Sequence, residues 1–267
     1  MKHYLFHVKA PSSVEEAERE LATHLEHLYI IEDPDTQSQQ IGGYSNAPLP
    51  SSLDHSLLVE EGPAHEVNWL EQWQQFAPDF RDDAAHILLS NGQTLKLQAG
   101  GGFGDLSHPT TNLTLALMTS HIASKTVIDI GCGSGILSIA ALLLGADLAI
   151  GIDIDPAAIV HSQTNADLNQ VSNRAIFTQT IDSEHIKERS LLIAMNMIRS
   201  EQQQAWDSLP RLHSQPATII TSGILAADRE AYLELTREWG WGLLEEAELD
   251  GWIGFLFINP AHLNAIH

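Results

Sequence analysis

The residues best suited to chemistry lie in one stretch, 127–137, which reads VIDIGCGSGIL. An apolar run leads there through three glycines, at positions 131, 133 and 135, into a second apolar run. This order is typical of a strand, a glycine-rich turn and a helix. In a doubly wound sheet such a turn lies at the carboxyl edge of the strands, where ligands bind, and glycines let the backbone approach the ligand closely.

Two carboxylates bracket the turn and indicate the charge of its ligand. Asp129 stands two residues before Gly131, and Asp153 follows 22 residues after it, at the end of the next apolar run. An acid at about that distance accepts hydrogen bonds from ribose hydroxyls in nucleotide-binding sheets. Asp129 would repel a pyrophosphate, and the third glycine comes one residue too early for a G-x-G-x-x-G turn. A sulfonium nucleoside, S-adenosylmethionine, therefore fits better than a nicotinamide cofactor; a plain turn with solvated aspartates is the alternative.

Strands and helices alternate through the second half of the chain, which predicts βαβ units. The last two strands are separated only by Asp250 and Gly251, so they must pair antiparallel. We therefore predict an α/β fold whose seven-stranded, mostly parallel sheet carries helices on both faces, with a small α+β N-terminal domain. The predicted strands are 126–130, 148–152, 174–178, 190–195, 216–222, 243–248 and 252–258, and the predicted helices are 110–121, 135–144, 156–168, 200–209 and 227–238.

The N-terminal part reads as a strand, a helix, a second strand at 28–32 and a long connection. Ser13 and Glu16 form a capping-box pair, and apolar residues at helical spacing continue from there to Leu28. The stretch 33–56 is rich in Pro, Ser, Gln and Gly, which predicts mostly loop. Asn91-Gly92 predicts a tight hairpin turn with two positive φ angles. We expect an N-terminal domain over 1–60, a linker helix over 61–84, and the main domain over 85–267.

The charge and the cysteine content of the chain limit the classes of partner it can bind and the cellular compartments that suit it. The 267 residues carry a net charge of −22, and residues 1–80 hold 14 acidic and 3 basic side chains. Such a chain is unsuited to the nucleic-acid backbone, whose binding depends on Lys and Arg, so we expect a basic protein partner or simply a solvated face. Cys132 is the single cysteine, which excludes an internal disulfide and a multi-cysteine zinc site, and we expect no metal. With no secretion signal or membrane span in the sequence, we expect a cytoplasmic protein.

Four segments together resemble the ribosomal protein L11 methyltransferase family of class I methyltransferases. The combination of His-Pro-Thr-Thr with the glycine loop is more specific than either motif alone. The segments are the W-x-x-x-W-x-x-x-F pattern from Trp69 to Phe76; Phe103-Gly104 with the residues from His108 to Thr111; the loop and acids from Asp129 to Asp155; and the four residues from Ser222 to Leu225.

The resemblance implies a substrate-recognition domain, a linker helix, and a catalytic sheet with strand order 3-2-1-4-5-7-6. It also implies that the chain methylates amino groups of ribosomal protein L11 with S-adenosylmethionine. Asn196 would orient the cofactor and the incoming amine, and we take it as the candidate catalytic residue. The candidate cofactor-binding residues are Phe103, Thr111, Asp129, Gly131, Cys132, Gly133, Asp153, Ile154 and Asn196.

The sequence departs from the family near the expected methyl site. Residues 102–108 read GFGDLSH where the family reads A-F-G-T-G-T-H, and residues 196–199 read NMIR where it reads N-I-L-A. These changes affect substrate identity more than cofactor binding. Two alternatives therefore stay open: a methyltransferase with another protein or a small molecule as acceptor, and a weakly catalytic module that binds cofactor and partner.

No general base or nucleophile stands out in the sequence. His108 precedes a proline, and a structural role is the favoured interpretation. Cys132 has no visible partner base, so we expect close packing rather than nucleophilic chemistry. Asp155 is expected to cap the helix that begins at Pro156. Thr111 has two interpretations, ligand contact and helix capping, of which we favour ligand contact.

Overall fold

The computed structural model describes residues 2–32, 39–50, 52–63, 79–100, 108–186 and 190–259. The chain divides into two compact units, Met1–Asn68 and Trp69–His267. The domain and linker boundaries expected from the sequence remain a prediction. Residues 64–78 of the linker helix expected over 61–84, and the predicted site residue Phe103, lie outside the described residues. No helix among the described residues is long and apolar enough to cross a membrane.

The described residues of the first unit form a four-stranded antiparallel sheet and a helix, α1. Its strands lie in the order β2-β3-β1-β4. Side chains from β1, α1 and β3, among them Phe6, Leu21 and Ile41, form its core. The elements are β1 Lys2–Val8, α1 Val14–Leu21, β2 Glu26–Glu32, β3 Gln39–Ser45 and β4 Ser56–Pro63.

Two expectations for this unit are wrong. The stretch predicted to be mostly loop contains β3, because pairing with β1 and β2 overrides the low strand propensity of its glycines. Helix α1 ends at Leu21 rather than near residue 28, and Leu25 reaches the core from beyond it. The capping box is confirmed: Ser13 N–H donates to Glu16 Oε2 at 2.8 Å, and Glu16 N–H donates to Ser13 Oγ at 3.2 Å.

The second unit begins with a small antiparallel sheet of β5 Phe80–Arg81, β6 Ala84–Leu88 and β7 Thr94–Gln98. The hairpin between β6 and β7 is confirmed, but its turn differs from the expected one. Within the turn, residues 89–93, Gly92 alone has a positive φ, +83°. Gly92 N–H donates to Leu89 O, and Leu89 N–H donates to Gln93 O, so the loop is one residue longer than a two-residue turn and needs a single left-handed position.

The main sheet has seven strands in the order β10-β9-β8-β11-β12-β14-β13. Strands β8 to β12 are parallel, and β14 is antiparallel to both β12 and β13. This is the 3-2-1-4-5-7-6 order that the family resemblance implies. The strands are β8 Thr126–Ile130, β9 Leu148–Ile152, β10 Ala175–Thr178, β11 Leu191–Asn196, β12 Ala217–Leu225, β13 Gly242–Leu249 and β14 Trp252–Asn259.

Helices cover both faces of this sheet, as predicted. Successive strand residues point to opposite faces, and two buried apolar clusters result. The first joins Val127, Leu192 and Leu256 to α2, α3 and α4; the second joins Ile128 and Ile193 to α6, α7 and α8. The helices among the described residues of this unit are α2 Pro109–Thr119, α3 Ile136–Leu143, α4 Pro156–Leu168, α5 Ser183–Ile186, α6 Arg199–Ser208, α7 Pro210–His213 and α8 Arg229–Glu238.

Candidate active site

The glycine turn between β8 and α3 folds back onto the end of β9. Gly131 N–H and Cys132 N–H both donate to Ile152 O, at 2.7 and 3.1 Å. Glycines 131, 133 and 135 have φ angles of +72°, +51° and +80°. A residue with a side chain would pay roughly 1–2 kcal/mol for each such angle, so the glycine spacing noted in the sequence is a requirement of the backbone.

The third glycine also allows close packing between the turn and α4. A Cβ added at Gly135 would lie 2.9 Å from Ser162 Cβ. In the sequence, the early position of this glycine distinguished the turn from a dinucleotide-binding turn. In the structure, this position lets the turn pack closely against α4, the helix that follows Asp153.

Asp153 is held in a fixed orientation at the end of β9. Its Oδ2 accepts from Gly133 N–H at 2.9 Å, and its Oδ1 accepts from Asp155 N–H at 3.0 Å. A carboxylate oxygen can accept two hydrogen bonds, so each oxygen keeps capacity for a ligand hydroxyl. The side chain is partly exposed. The next residue, Ile154, is 89% exposed and offers an apolar surface beside the carboxylate.

Asp129 lies beneath the turn and is only 1% exposed. Its Oδ2 accepts from Ser138 N–H at 3.1 Å and from Ser138 Oγ at 2.8 Å, which fixes the first turn of α3. Burial raises the pKa of its carboxyl to about 6, although the Ser138 hydrogen bonds favour the ionised form. The structure thus gives Asp129 a contact within the protein, and its direct contact with a ligand remains a prediction.

Cys132 is buried in the turn, with its Sγ close to β9. A Cβ added at Gly151 would lie 2.9 Å from this sulfur. Burial raises the pKa of the Cys132 thiol far above its usual range, so thiolate chemistry is disfavoured and the packing role expected from the sequence is confirmed. The contribution of Cys132 to a ligand site would come from its backbone.

Asn196 and Thr111, 85 residues apart in sequence, meet at the end of β11. Asn196 Nδ2 donates to Thr111 Oγ1 at 3.2 Å. Thr111 is fully buried. Within the part of the chain that the structure describes, the buried Asn196 Oδ1 has no hydrogen-bond partner. A buried carbonyl oxygen without a donor is costly, roughly 1–3 kcal/mol, so this atom is an acceptor available to a ligand.

His108 and Asp155 act as helix caps. The His108 side chain accepts from Thr110 N–H at the start of α2, and its ring packs edge-on against Trp252 with centroids 5.0 Å apart. Asp155 Oδ1 accepts from Ala157 N–H at 2.8 Å at the start of α4. Both structural interpretations made from the sequence are confirmed. Because His108 occupies the cap of α2, Thr111 is free of that role.

Sequence reasoning missed residues in the segment after Asn196. Glu201 lies in the first turn of α6, where loss of solvation and the negative charge of Asp153 raise its carboxyl pKa. Its carboxylate accepts from Ile198 N–H, the N-cap of the helix, and a Glu three residues after an N-cap is a signal that could have been read. Gln202 is fully buried, and nothing in its sequence neighbourhood distinguishes it from Gln203 and Gln204. Across the described ranges, no group of three or more His, Cys, Asp or Glu side chains is placed to hold a metal ion.

Comparison with known proteins identifies the family. The family model for ribosomal protein L11 methyltransferase matches residues 59–259. This chain belongs to the ribosomal protein L11 methyltransferase family. It is accordingly an S-adenosylmethionine-dependent methyltransferase.

Individual members of this family show the same relationship. A ribosomal protein L11 methyltransferase of Citrobacter koseri is 34% identical over 205 residues, which cover 70% of this chain and 68% of that protein. One from Mannheimia succiniciproducens is 40% identical over 195 residues, covering 68% and 65%. The crystal structure of ribosomal protein L11 methylase from Lactobacillus delbrueckii subsp. bulgaricus superposes with a TM-score of 0.54 at 25% identity, covering 67% of this chain and 90% of that one.

Proposed function

We propose that this chain methylates amino groups of a basic protein, and that this protein is ribosomal protein L11. The names of its relatives support the acceptor. The observation that carries the proposal for the site is the unpaired Asn196 Oδ1 at the end of β11, because an acceptor oxygen is what an amino group requires as a partner.

The residues at the β8–β9 end fit S-adenosylmethionine. The partly exposed carboxylate of Asp153 would accept from the ribose hydroxyls, and the exposed Ile154 would pack against the base. The backbone of Gly131, Cys132 and Gly133 permits the close approach of a ligand. Phe103 and Thr111 complete the set that the family resemblance implies. When bound, the cofactor supplies a methyl group activated by a sulfonium.

Asn196 would orient the acceptor amine rather than remove its proton. An amine attacks only as the neutral base, so it must lose a proton before it reacts. With its Oδ1, Asn196 would accept a hydrogen bond from one N–H and so direct the nitrogen lone pair. Positioning of this kind matters most in a displacement at a carbon that is already activated. Thr111, by holding Nδ2 at 3.2 Å, would fix the amide plane for this task.

Charge supports a basic protein as the partner. Residues 1–80 carry 14 acidic and 3 basic side chains, and such a surface attracts cationic partners. The same balance disfavours direct binding to nucleic acid. We place the activity in the cytoplasm, where a single unpaired cysteine is typical.

A methylation assay with defined acceptor tests the proposal. Ribosomal protein L11, purified from a strain that lacks this gene, is incubated with the full chain and S-adenosylmethionine and then analysed by mass spectrometry. We expect added methyl groups with the wild type and almost none with Asn196→Ala. Unchanged L11, together with labelling of another protein in an extract by tritiated cofactor, would overturn the choice of acceptor. The absence of cofactor binding in calorimetry would contradict the site itself.

A further inference from the structure

A buried glutamine, Gln202, links three elements behind Asn196. Its Nε2 donates to Met197 O at 2.7 Å and to Ser222 O at 2.9 Å. Its Oε1 accepts from Tyr232 Oη in α8. Both amide protons and the carbonyl oxygen are therefore in use, and Gln202 bridges the turn after β11, the end of β12 and α8.

The two carbonyls that Gln202 joins belong to strand ends in direct contact. A Cβ added at Gly223 would lie 2.3 Å from Met197 O, and Gly223 has a φ of +93°. The pairing of β12 with β14 shifts register at this point. Without the Gln202 amide, Met197 O and Ser222 O would each lose this donor, and a buried carbonyl that loses its donor is costly. The amide therefore stabilises the contact between the residue after β11 and β12.

Gln202 is fully buried, and a buried polar side chain is costly unless it is fully hydrogen-bonded. Tyr232, its partner, packs against Phe255 with ring centroids 5.3 Å apart. A leucine would fill such a position without this cost. One amide hydrogen bond of Gln202 runs to Met197 O, directly after Asn196, and the other runs to Ser222 O, in the residue paired with Asn196, so the glutamine holds the backbone there in a fixed conformation.

We infer that Gln202, oriented by Tyr232, is a positioning residue that holds the backbone next to Asn196 so that the Asn196 amide meets the acceptor amine. Thr111 holds the same amide from the side-chain end. Asn196 is thus held from two sides, through the backbone of the next residue, Met197, and through its own side chain. This inference rests on the role of Asn196 given under Proposed function.

The test compares Gln202→Leu with Gln203→Leu, an exposed neighbour on the same helix. In folded full-length protein we expect Gln202→Leu to lower kcat for L11 methylation about 10- to 100-fold, the scale of a misplaced reacting group. The KM for S-adenosylmethionine should change by less than about threefold, because this misplacement acts on the reacting step rather than on cofactor binding. Gln203→Leu should leave both constants unchanged. A folded Gln202→Leu variant with the wild-type kcat would overturn the inference.

Two further variants keep the inference testable if Gln202→Leu does not fold. Tyr232→Phe removes one hydroxyl and should lower kcat less than Gln202→Leu does. In Gln202→Glu the ionised carboxylate cannot donate to the two carbonyls, whereas the protonated acid donates to one. The ratio of its kcat to that of the wild type should therefore rise as the pH is lowered. A flat ratio, with wild-type activity in Tyr232→Phe, would count against the inference.

A measurement without any acceptor separates this inference from the proposed function. Hydrogen exchange of the Asn196 side-chain amide, assigned by NMR with the Asn196→Ala variant, should quicken at least about tenfold in Gln202→Leu because the opening of this segment costs less. Gln203→Leu should not change it. If Asn196→Ala methylates L11 normally, the proposed role of Asn196 fails; if exchange stays slow in Gln202→Leu, the positioning role alone fails.

Discussion

The two halves of the sheet edge differ in how their polar groups are satisfied. In the β8–β9 half, residues 129–155, the carboxylates of Asp129 and Asp153 accept hydrogen bonds from the chain itself. In the β11–β12 half, residues 196–225, two buried side-chain oxygens, Asn196 Oδ1 and Thr221 Oγ1, have no hydrogen-bond partner among the described residues. The first half is a preformed cradle, and in the second half Asn196 Oδ1 is the open acceptor that we propose for the incoming amine. A preformed cradle beside an oriented acceptor suits pre-organised group transfer.

Met197 lies between the two halves. A Cβ at Gly131 would lie 2.2 Å from its Cε, and a Cβ at Gly223 would lie 2.3 Å from its carbonyl oxygen. Its side chain therefore contacts the cradle while its backbone contacts the end of β12.

The largest effect is expected at the open acceptor. Asn196→Ala should lower the rate of methyl transfer at least about 100-fold, close to 3 kcal/mol, because one oriented polar group is lost. Affinity for S-adenosylmethionine, measured by calorimetry, should fall far less. Asn259→Ala is the matched control, since Asn259 also ends a strand but donates to His213 O and Gln215 O instead. Equal losses in the two variants would mean that only stability was affected.

A pH-dependent effect is expected at Asp129. An unfolded aspartate ionises near its usual pKa of about 4, whereas burial raises the folded pKa to about 6. Between these values the folded chain holds the extra proton, so this residue's contribution to the free energy of unfolding falls as the pH rises.

The Asp129→Asn variant has no carboxyl group at this position. Its free energy of unfolding should therefore rise by about 3 kcal/mol relative to that of the wild type between about pH 4 and about pH 7. Urea unfolding at several pH values measures the difference. Parallel curves for the two proteins would show that Asp129 is not held in a low-dielectric site.

The two glycines that face Met197 should differ in tolerance. Gly223→Ala should cost more than about 2 kcal/mol in the free energy of unfolding, because φ strain adds to a clash with backbone. Gly131→Ala should cost about 1–2 kcal/mol, since the end of a flexible side chain can move aside. Thermal or urea unfolding compares them. The reverse order would place the tighter packing in the cradle.

A further effect, on the affinity for the cofactor, is expected at Asp153. Asp153→Ala should weaken S-adenosylmethionine about 30-fold, roughly 2 kcal/mol, the value of charge-assisted hydrogen bonds. Asp155→Ala, two residues away, removes only the cap of α4 and should lower stability by about 1 kcal/mol with little change in affinity. Calorimetric titration of both variants with S-adenosylmethionine measures the two affinities. If Asp153→Ala bound S-adenosylmethionine as tightly as the wild type does, Asp153 would not contribute to cofactor binding as proposed.

Sequence reasoning succeeded where the determining interactions are local. The capping box of Ser13, the cap at Asp155 and the strands and helices of the main sheet depend on residues a few positions apart or on periodicity. The glycine turn was predicted for the same reason, because a left-handed backbone demands glycine at each position. These features, with the charge balance and the family motifs, were readable from the chain alone.

Tertiary structure decided the features that depend on residues far apart. Strand β3 forms because β1 and β2 pair with it, although its glycines indicated a loop. Thr111 and Asn196 were singled out separately, but only the packing of α2 against the sheet edge brings them together. Gln202 differs from Gln203 only in its burial and its hydrogen bonds. Because its hydrogen bond to Ser222 O joins residues 20 positions apart, the spacing of neighbouring residues could not predict it.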